Sequence, residues 1–517
     1  VAQTTQHMPD ITTNKKTIAK NTLFLYFRTI IIMAVSLYTS RVVLEALGVD
    51  DYGIYNVVGG FVTMFTAISG TMTAASQRFM AYELGKPRPN IKKVFSTTLS
   101  IHIILSIMIF IILESLGVWF LNNMMNISSE RMEAANWVLQ CSILTFCVNI
   151  ISIPYNAAII AYEKMSAFAY IGILEATLKL AVAFTLSIMA FDALIVYAVL
   201  MLIVAICMRF IYSGYCISKF RDCRFSLFVN KETFREILSF SGWNFIGQTA
   251  AVMNNQAINV LTNLFFGVAL NAARGIASQV DATINTFVQN FTMALTPQIT
   301  KAYAAGNYDS LNKLIIYGSK YCFFLFGIIC VPVFLNIEYM LSVWLVEVPD
   351  FVPTFVRLAF LYSLCQCLSQ CLYSAMLATG RIKKYQIIVG GLSIMAFPLS
   401  YTFFKLGLPA EYGYVAIIVS SLMCFAARLW LLKDMIQGFS TSQFLSKALL
   451  PIIQSATPTV AVIALLYYLV NDTTFYSFMG ETILCIILTS LSIYIFGLSD
   501  KERGMAVNII KRKMINR

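Results

Sequence analysis

The chain has 517 residues, of which 59% are hydrophobic and only 12% charged, with a formal net charge of +12. Its mean hydropathy of +0.75 places it with polytopic membrane proteins and leaves no room for a large soluble domain between apolar runs. A basic chain points to nucleic acid only when its charge gathers into a patch. Here Lys and Arg fall in short loops between apolar windows, so nucleic acid is not expected as a partner.

In chain order, residues 1–19 read as a polar cytosolic tail, because they lack the basic, apolar and small-residue order of a cleavable signal. Apolar windows of membrane length follow at 20–44, 52–78, 94–120, 134–160, 166–190, 193–217, 238–266, 268–300, 314–336, 352–379, 385–406, 412–432, 448–470 and 478–498. An even number of spans, fourteen, puts both termini on one side. Of the 37 Lys and Arg residues, 27 lie in the tails and in one alternate set of loops, while the opposite set holds only Arg131 and Lys405. By the positive-inside rule both termini are expected in the cytosol. Asn126-Ile127-Ser128 and Asn471-Asp472-Thr473 match the glycosylation tripeptide, a pattern short enough to arise by chance.

An internal repeat with a period near 220 divides the chain. Ala81-Tyr82-x-x-Gly85 returns as Ala302-Tyr303-x-x-Gly306, Gly48-Val49 as Gly267-Val268, and Lys92 as Lys313. The expected fold is therefore all-α, with two six-helix lobes in parallel pseudo-twofold repeat, residues 20–219 and 238–437. A linker at 220–237 joins them, two extra helices occupy 438–498, and a basic cytosolic tail fills 499–517.

Spans 7 and 8 carry the most polar groups. Asn244, Gln248, Asn255, Asn259 and Thr262 recur at intervals of 4, 7, 4 and 3, and Asn271, Arg274, Ser278, Asp281, Asn285 and Gln289 at 3, 4, 3, 4 and 4. At 3.6 residues per turn each set lies on one helix face. Such faces cannot meet lipid, where an unpartnered polar group costs several kcal/mol, so they must meet protein or a water-filled cavity. The second span carries a stripe of small and weakly polar residues (Asn56, Gly60, Thr63, Ala67, Gly70, Ala74, Gln77) that suits close helix packing or a cavity wall.

Charged residues inside the windows mostly have bland readings. Arg209 and Arg428 lie near inner ends and can snorkel, Arg357 and Glu114 lie near outer ends, Arg41 has Glu45 one turn on as an interfacial pair, and Glu175 with Lys179 forms an i, i+4 pair. Arg28, Arg274 and Lys320 remain, and cations in a membrane cavity suit an anionic ligand, because arginine grips phosphate oxygens bidentately. With Asn244, Gln248, Asn255, Asn259, Asn271 and Asn285 alongside, a phosphate joined to a sugar is the implied ligand. Asp281 could instead serve a coupling ion. The twelve cysteines give no disulfide framework, and Cys365, Cys367 and Cys371 lack histidine company, since only His7 and His102 exist. No catalytic group, metal or bound cofactor is expected, beyond a coupling Na+ or H+.

The stretch Asn21-Thr22-Leu23-Phe24-Leu25-Tyr26-Phe27-Arg28, then Ser36-Leu37-Tyr38-Thr39-Ser40-Arg41-Val42-Val43-Leu44, Leu47-Gly48-Val49-Asp50-Asp51-Tyr52-Gly53-Ile54-Tyr55-Asn56-Val57-Val58-Gly59-Gly60 and Ser76-Gln77-Arg78-Phe79 resembles the Wzx-type polysaccharide flippases of the MOP exporter superfamily, those of Bacteroidetes in particular. The resemblance runs through the fourteenth span. It implies a cavity between two lobes, alternating access, and outward flipping of an undecaprenyl-pyrophosphate-linked oligosaccharide for O-antigen, capsule or exopolysaccharide assembly. It also implies membrane lipids and other polysaccharide-assembly proteins as partners. In related lipid II flippases, arginines of the first and eighth spans serve the cavity; Arg28 and Arg274 lie in the corresponding spans without a position-by-position match. Two alternatives stay open. A MATE-type cation-coupled drug antiporter shares the fold but needs buried carboxylates, of which Asp281 is the candidate. A membrane glycan polymerase would need catalytic carboxylates in a large outer loop, and the outer loops here are short.

Overall fold

A computed structural model describes residues 11–125, 127–186, 191–224, 229–345, 348–469 and 475–504, though not the side chains of 11–16, 49, 268, 269, 271, 272 and 462–469. Both glycosylation tripeptides include residues outside this set, as do most of the two tails. The described residues form helices and connecting turns with no strand. In lipid the backbone N–H and C=O groups must be satisfied within the segment, which a helix does and an open strand does not. This is an all-α polytopic membrane protein.

The helices are α1 (Ile11–Thr63), α2 (Thr66–Leu84), α3 (Ile91–Met124), α4 (Met132–Ala161), α5 (Met165–Leu186), α6 (Ala193–Lys219), α7 (Lys231–Ala304), α8 (Tyr308–Leu335), α9 (Ile337–Trp344), α10 (Val352–Thr379), α11 (Ile382–Ile394), α12 (Ala396–Lys405), α13 (Tyr412–Met435), α14 (Thr441–Phe444), α15 (Leu450–Leu469) and α16 (Phe475–Ser492). Helix occupies most of the described part of each of the fourteen apolar windows. Ten segments are long and apolar enough to cross a membrane, and an eleventh is the pair 50–63 and Thr66–Leu84, bent by 49°. The windows 238–266, 268–300 and 448–470 fall mainly in α7 and α15, which are not among those ten, so ten or eleven spans are supported among the described residues and the count of fourteen stays an expectation.

Two glycines explain why α1 and α7 are so long. Each is really two helices meeting at a sharp break, at Gly48 (φ 74°, ψ 173°) and at Gly267 (φ 84°, ψ −177°). That backbone conformation is essentially closed to residues with a Cβ. The two breaks are the same pair of glycines that the sequence repeat aligned. Helix starts echo the repeat as well: the Asn90 side chain accepts from Lys93 N at the head of α3, and Asn307 accepts from Ser310 N at the head of α8.

By its internal contacts the chain forms two compact units. The first comprises 1–248 with 293–306. There α1 packs on α5, and the deeply buried α4 packs on α3, α2 and α6. Arg131 tightens this unit at its loops, bonding both Asp51 and Asp192, while Asp192 also caps α6 by accepting from Leu194 N and Ile195 N. The bond from Arg131 holds the Asp192 carboxyl below its ordinary range despite partial burial. The second unit comprises 249–292 with 307–517, and its centre is α10, packed on α8 and α13.

Nothing lies within 4 Å of a Cβ built at either break glycine, so crowding is not the constraint there. Gly48→Ala and Gly267→Ala should each lower the thermal unfolding midpoint of the purified protein, by an energy of about 1–3 kcal/mol from backbone strain alone. Unchanged midpoints would contradict this account of the breaks.

Candidate binding site

Within the first unit, Arg28 projects from the middle of the apolar segment Thr17–Gly48. Its guanidinium carbon lies 4.6 Å from the centre of the Phe168 ring on α5. Its Nε is buried and has no hydrogen-bond partner among the described residues. Tyr212 and Glu175 are its titratable neighbours, but Glu175 already accepts from Lys179 at 2.6 Å, as the sequence pairing anticipated. Arg28 therefore keeps much of its hydrogen-bonding capacity unspent.

Gln248 and Asn244 also belong to the first unit. Asn244 is completely buried, whereas Gln248 is half-buried with its Oε1 3.3 Å from where a Cβ at Gly70 would sit. At Gly70 the small-residue stripe lets α2 and α7 approach closely, which is packing at this level.

In the second unit, α7 doubles back at Gly267, and Arg274 joins its two limbs. The guanidinium donates to Asn255 Oδ1 at 3.2 Å and to Thr262 Oγ1 at 3.3 Å, and it sits 5.5 Å from the Tyr414 ring. Arg274 is only 3% exposed. The sequence had left this cation without a partner; the structure supplies intramolecular ones, because reversing the chain at Gly267 brings residues 12 and 19 positions upstream alongside it. Asn255 is exposed, Asn259 is half-buried and donates to Gln256 Oε1 at 3.2 Å, and the Asn271 side chain lies outside the described set.

Asp281 and Asn285 meet Ser363 of α10. The Ser363 hydroxyl donates to Asp281 Oδ1 at 2.5 Å, and Asn285 Nδ2 donates to Ser363 Oγ at 2.7 Å and to the Asp281 carbonyl at 3.1 Å. These three are brought together; Lys320 is not with them. Lys320 is 2% exposed and paired with Glu502 at 2.7 Å, while Tyr321 donates to the same carboxylate at 2.6 Å. Lys320 as a ligand-facing cation is therefore corrected: its charge is neutralised inside the protein by a residue 182 positions away, a distance that no local spacing reveals.

Two further clusters escaped the sequence for the same reason. One is the Arg131 pairing. The other is Glu163, which stands at a left-handed φ of 58° and accepts from Gln298 Nε2 at 3.0 Å and Lys301 Nζ at 2.7 Å. Nothing in the sequence of the short loop, Ala161-Tyr162-Glu163-Lys164-Met165, points to those distant partners. Among the described residues no three His, Cys, Asp or Glu side chains gather to hold a metal, and Cys367 and Cys371 are buried free thiols.

Residues 18–338 match the family described as "Polysaccharide biosynthesis protein". The chain belongs to this family. No curated protein matches it. Among solved structures, a multidrug resistance MATE family transporter of the MOP superfamily in its outward-facing conformation is similar at a TM-score of 0.68 and 14% identity, over 81% of this chain and 96% of the other. A MATE structure in complex with MaD3S has a TM-score of 0.70 at 13% identity, over 82% and 97%. A MOP superfamily transporter from Pyrococcus furiosus, described as having a reverse-polarity binding pocket that suggests a different function, has a TM-score of 0.68 at 13% identity, over 83% and 96%. At these identities the likeness establishes the MOP fold of this polysaccharide biosynthesis family member.

The Lys320–Glu502 pair predicts its own response to mutation and acid. Burial pushes the Glu502 carboxyl up, but hydrogen bonds from Lys320, Tyr321 and Ser499 outweigh it and hold the group down to about 2. A depressed native pKa means that the pair's contribution is complete above about pH 4.5 and is lost as pH falls toward about 2. Glu502→Gln should destabilise by about 3–5 kcal/mol, since it leaves an uncompensated buried ammonium. Lys320→Met added to it should recover part of the loss in thermal unfolding. Additive losses would show that the two residues are not coupled.

Proposed function

We propose that the protein flips a lipid-linked oligosaccharide of the undecaprenyl-pyrophosphate type from the inner to the outer leaflet by alternating access, with no covalent chemistry. The head group crosses along the polar surfaces while the prenyl tail stays in lipid. The observation that carries this reading is Arg28, a cation in an apolar helix with unspent hydrogen-bonding capacity, in a chain whose family is that of polysaccharide biosynthesis. A guanidinium held on an aromatic face presents its edge, the geometry that accepts two phosphate oxygens at once. In this reading Arg274 holds the limbs of α7 together and steadies Asn255, which with Asn259 offers amides to sugar hydroxyls in the second unit, as Asn271 and Asn285 would; in the first unit Gln248 and Asn244 would offer theirs.

The proposal includes a bacterial inner membrane location, cytosolic termini, fourteen spans and the two lobes 20–219 and 238–437. The product would feed O-antigen, capsule or exopolysaccharide assembly, in company with other polysaccharide-assembly proteins. Asp281, with Ser363 and Asn285 bonded to it, is the proposed site for a coupling H+ or Na+. A drug antiporter for organic cations is disfavoured by the sign of Arg28, which would repel such a cargo. Pocket polarity is also the feature said to set the Pyrococcus furiosus neighbour apart.

In a host whose surface glycan depends on this protein, Arg28→Ala should abolish export at an unchanged membrane level of the protein. Arg28→Lys should restore only part of it, because a lysine makes no bidentate contact. Arg274→Ala should instead reduce the level and the thermal midpoint of the protein. Wild-type export by Arg28→Ala would remove the assigned role.

A further inference from the structure

We propose that one face of α5 sets both the position and the free charge of Arg28: Phe168 and Gly172 cradle the guanidinium, and Lys179 keeps it available to an oxyanion by holding Glu175. This deepens the flippase reading above and rests on it.

Phe168, Gly172, Glu175 and Lys179 follow one another at intervals of 4, 3 and 4, so they form a single stripe along α5. α1 packs against this helix. Phe168 supplies a π face at 4.6 Å from the guanidinium carbon, which fixes the plane of the group and leaves its edge for a ligand. Gly172 supplies space. A Cβ built there would lie 2.4 Å from Arg28 Nε, too close for any real contact, and 3.1 Å from Nη2 and 3.2 Å from Cζ, both tight. Even alanine must therefore push the arginine off the Phe168 ring. Gly172 has an ordinary helical backbone, so the close approach of Arg28 is the feature that explains a residue which costs a helix roughly 1 kcal/mol relative to alanine.

The electrostatic half of the device lies one turn on. Among the described residues, Glu175 is the acid that acts on Arg28. A free carboxylate at this place would compete with an incoming phosphate for the guanidinium. Lys179 Nζ instead binds Glu175 Oε1 at 2.6 Å, with both side chains about a third to two-fifths exposed. Two cations and one anion leave a net positive charge at the site, and removing Lys179 would cancel it. Tyr212, buried on α6, is the remaining neighbour and can add a hydroxyl donor.

The test uses the purified full-length protein in detergent, with geranylgeranyl pyrophosphate as the probe and inorganic pyrophosphate as a second arm, read by equilibrium binding beside a thermal midpoint. Arg28→Ala should weaken the probe about tenfold or more, the loss expected for a charge-assisted contact. Gly172→Ala and Lys179→Met should each weaken it about as much without touching the ligand. Glu175→Gln added to Lys179→Met should restore binding, an outcome that a merely structural role for the ion pair would not give. If Gly172→Ala lowers the midpoint as well, the Lys179→Met and Glu175→Gln pair still decides the electrostatic half, and Gly172→Ser against Gly172→Ala at matched midpoint decides the steric half by a further loss with size.

Failure of the inference and of the underlying reading are distinguishable. Wild-type protein that retains no probe, or Arg28→Ala that binds as wild type does, overturns the flippase reading and this inference with it. Arg28→Ala weakened while Gly172→Ala or Lys179→Met binds normally overturns the α5 device alone. Equal retention of inorganic pyrophosphate would show that the anion alone is recognised, and the device would stand for that ligand class.

Discussion

Every polar group that enters the hydrocarbon layer must find a partner there, and this constraint accounts for most of what is unusual in the chain. The backbone meets it by becoming helix throughout the apolar windows. Inside an apolar run, Lys320 meets it by pairing with Glu502 across a long sequence distance, and the loops show the same habit of distant pairing in Arg131 with two aspartates and Glu163 with Gln298 and Lys301. Arg274 satisfies it within its own helical hairpin. The buried Nε atoms of Arg274 and Arg428 also lack a partner, but those two arginines bond other side chains through their Nη atoms, whereas no hydrogen bond joins Arg28 to another described residue; a cation left in that state is a candidate for function.

The two glycine breaks show how the same constraint shapes topology. At these two places the helix breaks through a backbone conformation that glycine tolerates and other residues do not, and Gly48 and Gly267 supply it at equivalent places in the repeat. The break at Gly267 lets Arg274 fold back onto Asn255 and Thr262. Conformation at one residue thus decides whether a charge 7 positions later is buried at a cost or held by neighbours.

Helix and repeat were legible in the sequence because both are local patterns: apolar windows of membrane length, a 3.6-residue polar periodicity, Gly48-Val49 recurring as Gly267-Val268. The Glu175–Lys179 pair was legible on the same ground. The fate of individual charges was not. Arg28, Arg274 and Lys320 looked alike, each a lone cation in an apolar run, and their difference lies in partners contributed by other helices. Lys320 meets a residue of the far C-terminal segment; Arg274 meets its own hairpin limb; Arg28 meets an aromatic ring and a glycine. Spacing finds which residues share a face but not which face of another helix arrives opposite.

The central claim is that a lipid-linked oligosaccharide crosses the bilayer through this protein with Arg28 engaging its phosphates. Reconstitution into liposomes with a labelled lipid-linked oligosaccharide, scoring head-group accessibility from each side, tests it most directly. Wild-type protein should carry the label across the bilayer and Arg28→Ala should leave it on the leaflet where it was loaded. Equal movement by the two proteins, or none by either while the protein is folded and inserted, would contradict the account.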